Sequence, residues 1–548
     1  MHISPLQWDS LIIEYPFSSS SKTHVNFIDF QPKAKLALDQ FTVSELGSLL
    51  IIKTETLPEF IQEIENYLHI STIEPIIQND FNLHSLFGYS VYLENESKIE
   101  HIEGIIEQAN NRILILNLDC LLRDIQQWDK LKQALLFGEY MPNVINTIPT
   151  KLPKIKSAFK LILMGNRDHI AALSSYDNSL YQFAHYTEID SYLNLNGNIE
   201  KWGEYIQTYA KKYGFTDSFS TNMLNQLLRV YIRESESREL ISISPTKLRN
   251  YLLGIKAFYA VSQVSIQLND IQDYFDYLES QSSKLYQYSL DEILQYQKYI
   301  QTENEKIGQI NGLSVVEFEG VPNAFGEPLR ISCNVQYGEG EINDIEHKTE
   351  LGGNIHSKGV LIAQSCLANL LELPSQLPFS ATVAFEQSYG EIDGDSSSLA
   401  VFCTIISALT MLPLPQSIAV TGAIDQFGNV LSVGGVTQKI EGFFQLCQTR
   451  GLTGKQGVII PSVCISHLSL KAEVLLAVQQ KKFQIWAVSD VFEAIQILLH
   501  HDFYDRENDD KGEKLSIFSL INQAIEQHQR DDTSGLFLKK ICNFLRGN

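Results

Sequence analysis

Between residues 36 and 190, short apolar runs of strand length alternate with stretches at helical spacing, which confines this part of the chain to an α/β layer. The runs Ser48-Leu49-Leu50-Ile51-Ile52, Ile113-Leu114-Ile115-Leu116 and Leu161-Ile162-Leu163-Met164 are apolar almost throughout, so both faces of each strand are buried, as in a parallel sheet. Helices over Pro58 to Leu68 and Trp128 to Leu136 supply the covering layers. Residues 191–305 change character: long segments at helical spacing, such as Leu248 to Val264 and Asp291 to Glu305, with few turn signals, predict a helical domain. Residues 306–500 are richer in glycine and carry alternating strands, Leu313 to Phe318 and Ala381 to Phe385, followed by apolar helices, which predicts an α+β domain. Residues 1–35 are weakly patterned, with Ser18 to Ser21 reading as a turn or exposed loop. Residues 501–514 read as a charged linker and 515–548 as an amphipathic helical tail. The fold class is therefore multidomain, α/β and α+β.

The 548 residues are enough for three to four domains, at roughly 150 residues each. With 44% hydrophobic and 20% charged residues the mixture is that of a globular chain, not a disordered one. Sixty-five acidic against 42 basic side chains leave a formal charge of −23, a field that repels phosphate backbones, so nucleic acid is not an expected partner. The seven cysteines, at 120, 333, 366, 403, 447, 464 and 542, are scattered, mostly in apolar runs, and read as reduced, buried small hydrophobes. No CxxC pair, Cys/His cluster or HExxH is present, so no metal is expected. The N-terminus lacks the basic start and apolar core of a signal peptide, and no uncharged apolar run approaches about 18 residues. A cytoplasmic protein without a membrane partner is expected.

An α/β layer followed by helices is the order of an ATPase module, yet the phosphate-cradling GxxxxGK[ST] is absent. Asp119 stands where such a module would end a strand with a Mg²⁺-binding carboxylate, but Cys120, Leu121 and Leu122 follow instead of a second acid, which favours a structural turn or cap. Gly165-Asn166 after Leu161 to Met164 likewise reads as a common turn. No cofactor is expected, and ATP hydrolysis should be weak or absent.

The informative stretch is Glu391-Ile392-Asp393-Gly394-Asp395-Ser396-Ser397-Ser398, followed by the apolar segment Leu399 to Leu409. Acid-Gly-acid-Ser before such a run is a tight turn that either caps the helix or delivers a serine to its N-terminus. Downstream, Val420 to Ser432 reads as a strand and hairpin leading through Gly434-Gly435 into a helix whose first turn holds Lys439. There the macrodipole and the apolar neighbours Val436 and Ile440 both lower the lysine pKa, and a neutral amine is a competent general base. A Ser/Lys dyad activates a serine hydroxyl without histidine. Taken alone, Lys439 reads first as a solvated surface lysine.

Taken together, residues 393–441 closely resemble the proteolytic domain of the Lon family, in its LonB-like branch. That family carries a Gly-Asp-Ser nucleophile turn and, 43 positions later, a lysine in a Gly-Gly-Val-Thr-Gln-Lys-Ile-Glu segment, as Ser396 and Lys439 stand here. The resemblance extends to Ile307 to Val315 and Ile355 to Ile362, and spans about 306 to 500. It implies Ser396 as nucleophile, Lys439 as its base, and Thr421 as a residue that helps position the lysine. Asp393 and Asp395 either shape the turn or cap. It also implies a degenerate AAA+-like domain over 36–190, a helical domain over 191–305 and a Lon-type proteolytic domain over 306–500. The phosphate loop of the family's motor and the membrane-spanning insertion of archaeal LonB are both missing, which matches bacterial Lon homologs with a degenerate ATPase region.

The expected function is a Lon-type serine endopeptidase that cleaves unfolded or flexible polypeptides without ATP-driven unfolding, in a hexameric ring as the resemblance implies. A catalytically idle adaptor of the same fold is the alternative, and intact Ser396 and Lys439 argue against it. A Ser-His-Asp hydrolase is weaker: no GxSxG is present and the histidines are dispersed.

Overall fold

The structure, a computed structural model, describes residues 3–18, 24–70, 75–93, 98–148, 152–262, 270–373, 377–388, 392–505 and 515–527. Residues 19–21 of the serine run, Glu391, residues 506–514 of the charged linker, residues 528–548 of the tail and Cys542 lie outside them. The chain forms two compact units: residues 16–224 with 240–270, and residues 1–15 with 225–239 and 271–548.

In the first unit the apolar runs form a parallel five-stranded sheet in the order Ala184–Glu188, Leu49–Lys53, Lys160–Gly165, Ile113–Asn117, Ile76–Gln78. Its central strands are buried on both faces, as their lack of alternation requires. Trp128, Leu131 and Leu135 of the helix Gln127–Phe137 complete the core over one face. The strand that carries Asn117 ends two residues earlier than an acidic strand-end reading of Asp119 would need. Asn117 caps the following helix through the Asp119 amide at 3.0 Å, and Asp119 pairs with Arg123 on that helix at 3.0 Å. Asn166 plays the same part after Gly165, accepting from the His169 amide at 2.9 Å. The connection from Leu49–Lys53 to the helix Pro58–Ile70 is Thr54-Glu55-Thr56-Leu57, with neither glycine nor lysine.

The second unit is built on a mixed seven-stranded sheet in the order Ile342–Asp344, Leu377–Glu386, Phe325–Gly340, Gln309–Val316, Ile418–Val420, Gln456–Pro461, Phe483–Val488. Alternation along the strands divides the core into two layers. Ile310, Val420, Ile459 and Trp486 join the helices Asn354–Leu370, Ser398–Thr410 and Val491–Leu499 on one face. Leu313, Ala419, Val458, Ile460 and Ile485 join the helices Val436–Arg450 and Ala472–Gln479 on the other. Residues 517–527 are helical and set Ile517, Ile521 and Ile525 into the first of these layers.

The helical reading of Asp291 to Glu305 holds only at its start. The helix Lys284–Leu294 stops there, Tyr296 takes a left-handed φ of 61°, and Glu305–Lys306 pairs as a strand with Leu414–Pro415. From residue 295 to 304 the segment runs as turns and bends, and only its last residue joins the strand pairing. The six described cysteines are all free and buried, and among the described residues no helix is long and apolar enough to cross a membrane.

Candidate active site

The helix Ser398–Thr410 is buried along its whole length from Ser398 to Leu409, so its N-terminus is fixed by packing on every side. Neither acid of the preceding turn caps it: the N-cap is Ser397, which makes no side-chain capping bond. Asp393 instead caps a helix 37 to 38 residues upstream, accepting from the amides of Ile355 and His356 at 3.1 and 3.2 Å. Gly394 turns the chain with a φ of 111°, which a side chain rarely tolerates, and Asp395 closes the turn by accepting from the Ser398 amide at 3.0 Å. Ser396 is left half-buried at the apex.

The strand Ile418–Val420 runs out into Thr421 and Gly422, and these two residues bind the turn. The Gly422 amide donates to the Ser396 carbonyl at 2.8 Å, the Leu399 amide donates to the Gly422 carbonyl at 3.1 Å, and the Thr421 hydroxyl donates to the Ser396 carbonyl at 3.4 Å. A hairpin, Ala423–Ile424 paired with Val430–Leu431, then leads to Gly435. At that position φ is 66° and a Cβ would fall 2.3 Å from Val315 Cγ2, so both backbone and space require glycine where the chain enters the helix Val436–Arg450.

Lys439 lies in the opening of that helix, 4% exposed. Its Nζ donates to Ser396 Oγ at 3.0 Å and to Thr421 Oγ1 at 3.2 Å. The structure thus brings together all three residues singled out in the sequence, Ser396, Thr421 and Lys439. Burial pushes the lysine pKa down to about 8, partly opposed by Cys464, Glu236 and Asp395, so that about a tenth of the amine is neutral at pH 7, far more than for an ordinary lysine. The serine and lysine approach from opposite faces of the sheet and meet beyond the end of Ile418–Val420. This is the place where α/β sheets offer ligands their strand-end crevice.

One feature was not legible in the sequence. Asp344, Glu346 and His356 are buried together, with side-chain ligand atoms within 4.8 Å of one another. Asp344 Oδ1 accepts from the Glu346 amide, Glu346 Oε1 from the Phe385 amide, and His356 Nε2 lies 3.2 Å from Asp344 Oδ2. Burial works against the Asp344 carboxylate, yet the facing imidazole holds its pKa below the usual range; burial and the Asp344 charge push Glu346 up. The cluster is linked to the turn that carries Ser396 through Asp393, whose carboxylate accepts from the His356 amide.

Comparison with known proteins agrees with this fold. The family model described as the LonB-like AAA domain matches residues 73–204, and that of the Lon protease (S16) C-terminal proteolytic domain matches residues 284–501. A protein of Haemophilus influenzae provisionally named a Lon protease homolog is 41% identical, over 95% of this chain and 92% of its own length. A protein of Escherichia coli under the same provisional name is 39% identical, over 79% of this chain and 74% of its own. The archaeal Lon protease of Methanocaldococcus jannaschii is 35% identical over 27% of this chain and 23% of its own. The chain belongs to the Lon protease family. It joins an AAA-like domain to a Lon-type proteolytic domain, and the class of activity that this domain carries is peptidase.

Proposed function

We propose that the chain is a serine endopeptidase in which Ser396 is the nucleophile and Lys439 its general base, acting on unfolded or flexible polypeptides. The observation that carries this reading is the 3.0 Å contact between Lys439 Nζ and Ser396 Oγ, made by a lysine buried enough to lose its proton. The neutral amine takes the hydroxyl proton as Oγ bonds to the scissile carbonyl carbon. The amide nitrogen then leaves with that proton returned to it, and water, activated by the same amine, cleaves the ester and frees Ser396. The amides of Ser396 and Ser397, which have no acceptor among the described residues, are suited to the oxyanion that forms at the attacked carbonyl. Thr421 keeps the amine aimed at Oγ.

Catalysis without ATP-driven unfolding forms part of the proposal. A strand–GxxxxGK[ST]–helix cradle is replaced by Thr54-Glu55-Thr56-Leu57 after Leu49–Lys53, a connection with no lysine for a phosphate and no glycine to let the backbone approach it. Assembly as a hexameric ring, taken from the family, and action in the cytoplasm, taken from the N-terminal sequence, complete it.

The experiment is cleavage of an unfolded fluorogenic protein by wild type and Ser396→Ala, with and without ATP and Mg²⁺. Cleavage by wild type alone, unchanged by nucleotide and at least about a thousandfold slower in the variant, is expected. Stimulation by ATP would overturn the nucleotide-independent part, and equal rates for the two proteins would overturn the role of Ser396.

A further inference from the structure

The helix Val436–Arg450, which carries Lys439, has no N-terminal cap of its own: its N-cap residue is Gly435, without a side chain. The missing acceptor comes from 199 residues upstream. Glu236 Oε1 and Oε2 accept from the Gly435 amide at 2.9 and 3.1 Å. Gly435 is also the residue whose carbonyl receives the Lys439 amide at 2.9 Å, so the bond Glu236 makes is one peptide away from the ladder that holds Lys439. Glu236 follows directly on the helix Thr221–Ser235 and takes the left-handed φ of 48° with which helices commonly end. The C-terminus of one helix therefore delivers a carboxylate to the N-terminus of another, where the macrodipole favours an anion.

A second ionic contact reinforces the first. Arg233 grips Glu441, two residues after Lys439, with Nη1–Oε1 at 2.7 Å and Nη2–Oε2 at 2.6 Å. Bidentate pairs of this kind fix orientation as well as distance. Arg238 anchors the segment further, donating to the carbonyls of Leu468, Ser10 and Leu11 at 3.0, 3.1 and 2.9 Å. Residues 225–239 thus pack with the proteolytic unit, while the chain on each side of them, up to Leu224 and from Leu240, belongs to the other unit.

We propose that residues 225–239 are a tether that sets the Lys439 helix, with Glu236 as its positioning residue, so that proteolytic competence depends on a segment whose two ends run into the AAA-like unit. Displacing the tether uncaps Gly435, breaks the Arg233–Glu441 pair while leaving Glu441 its bond from the Lys471 amide, and lets the amine drift from Ser396 Oγ. A shift of about 1 Å at a reacting group is enough to cost about a hundredfold in rate. The inference rests on the Ser396/Lys439 reading.

The test compares wild type, Glu236→Ala, Glu236→Gln and Ser396→Ala as full-length chains, by kcat and KM on an unfolded fluorogenic protein across pH. Hydrogen exchange at residues 433–441 follows the helix independently of cleavage. Glu236→Ala is expected to lower kcat about tenfold at unchanged KM and to speed exchange at 433–441. Glu236→Gln, which keeps an acceptor for the Gly435 amide, is expected to restore most of kcat and of the protection. The charged and titratable groups that face Lys439 are Glu236, Asp395 and Cys464. Removing the Glu236 charge in either variant is therefore expected to move the acid limb of the rate profile to lower pH, a change that mere loosening of the fold would not produce. Unchanged kcat, pH profile and exchange in Glu236→Ala, with Ser396→Ala inactive, would overturn the tether alone. Full activity in Ser396→Ala would overturn the dyad reading and the tether with it.

Discussion

Thr421 stands between the two halves of the candidate dyad: its hydroxyl oxygen accepts from Lys439 Nζ at 3.2 Å and its proton goes to the Ser396 carbonyl at 3.4 Å. The hydroxyl links the amine to the backbone of the nucleophile turn, so the two groups share one reference point. Thr421→Val keeps the volume and removes this link. The expected result is a kcat lowered about 10- to 100-fold at nearly unchanged KM, with Thr421→Ser close to wild type. Steady-state kinetics on an unfolded substrate check it; an unimpaired valine variant would remove Thr421 from the mechanism.

In the proposed mechanism Lys439 must be neutral to take the Ser396 proton. With its pKa pushed down to about 8 by burial, kcat/KM is expected to climb with pH through that value and level off above it. Lys439→Arg, whose guanidinium stays protonated in this whole range, is expected to be inactive throughout. A flat profile between pH 6 and 9 would exclude Lys439 as the titrating base.

The same depression makes Lys439 a cost to the fold. A lysine whose folded pKa lies below its ordinary value of 10.5 binds its proton more weakly folded than unfolded, so stability rises as pH increases from about 8 to 10.5. Below pH 8 the full penalty applies, on the order of 3 kcal/mol, offset by about 1 kcal/mol for each hydrogen bond the amine makes. Lys439→Met is therefore expected to be inactive but more heat-resistant than wild type at pH 7, with the gain shrinking toward pH 10. Calorimetry at the two pH values decides it, and equal melting temperatures at pH 7 would show that the amine is not desolvated.

Asp393 ties the nucleophile turn to the helix Asn354–Leu370 through the amides of Ile355 and His356. Asp393→Ala is expected to cost about 1 kcal/mol of stability, as loss of a helix cap does, and to reduce kcat several-fold because the turn loses its anchor. Asp393→Asn retains an acceptor and is expected to keep most of both. Denaturant titration alongside the assay separates the two effects, and an alanine variant with wild-type kcat would free the turn from this anchor.

The parts of the molecule readable from sequence are those written locally. Uninterrupted apolar runs announced Leu49–Lys53, Ile113–Asn117 and Lys160–Gly165 as buried parallel strands, and glycine before Val436 announced a helix start. Ser396 and Lys439 were singled out because their two segments together, 43 positions apart, resemble the proteolytic domain of the Lon family; taken alone, the turn read as a helix cap and the lysine as a surface residue. What stayed hidden depends on contacts between distant segments. Asp393 looked like a cap for the helix it precedes and caps one before it. Glu236 sits in a polar stretch, Glu234-Ser235-Glu236-Ser237-Arg238-Glu239, with nothing to mark one acid over its neighbours. Asp344, Glu346 and His356 come together only because Ile342–Asp344 pairs beside Leu377–Glu386 and the helix from Asn354 folds back over that edge.

Because the serine and the lysine are carried by layers on opposite sides of one sheet, neither layer holds a working site by itself. A chain emerging from synthesis has produced Ser396 and its helix before Lys439 exists, and the pair meets only once both layers have closed over the strand between them. On the proposed reading of the pair, an incompletely folded copy has not yet brought Ser396 and Lys439 together, so competence to cleave arrives only with the completed two-layer fold.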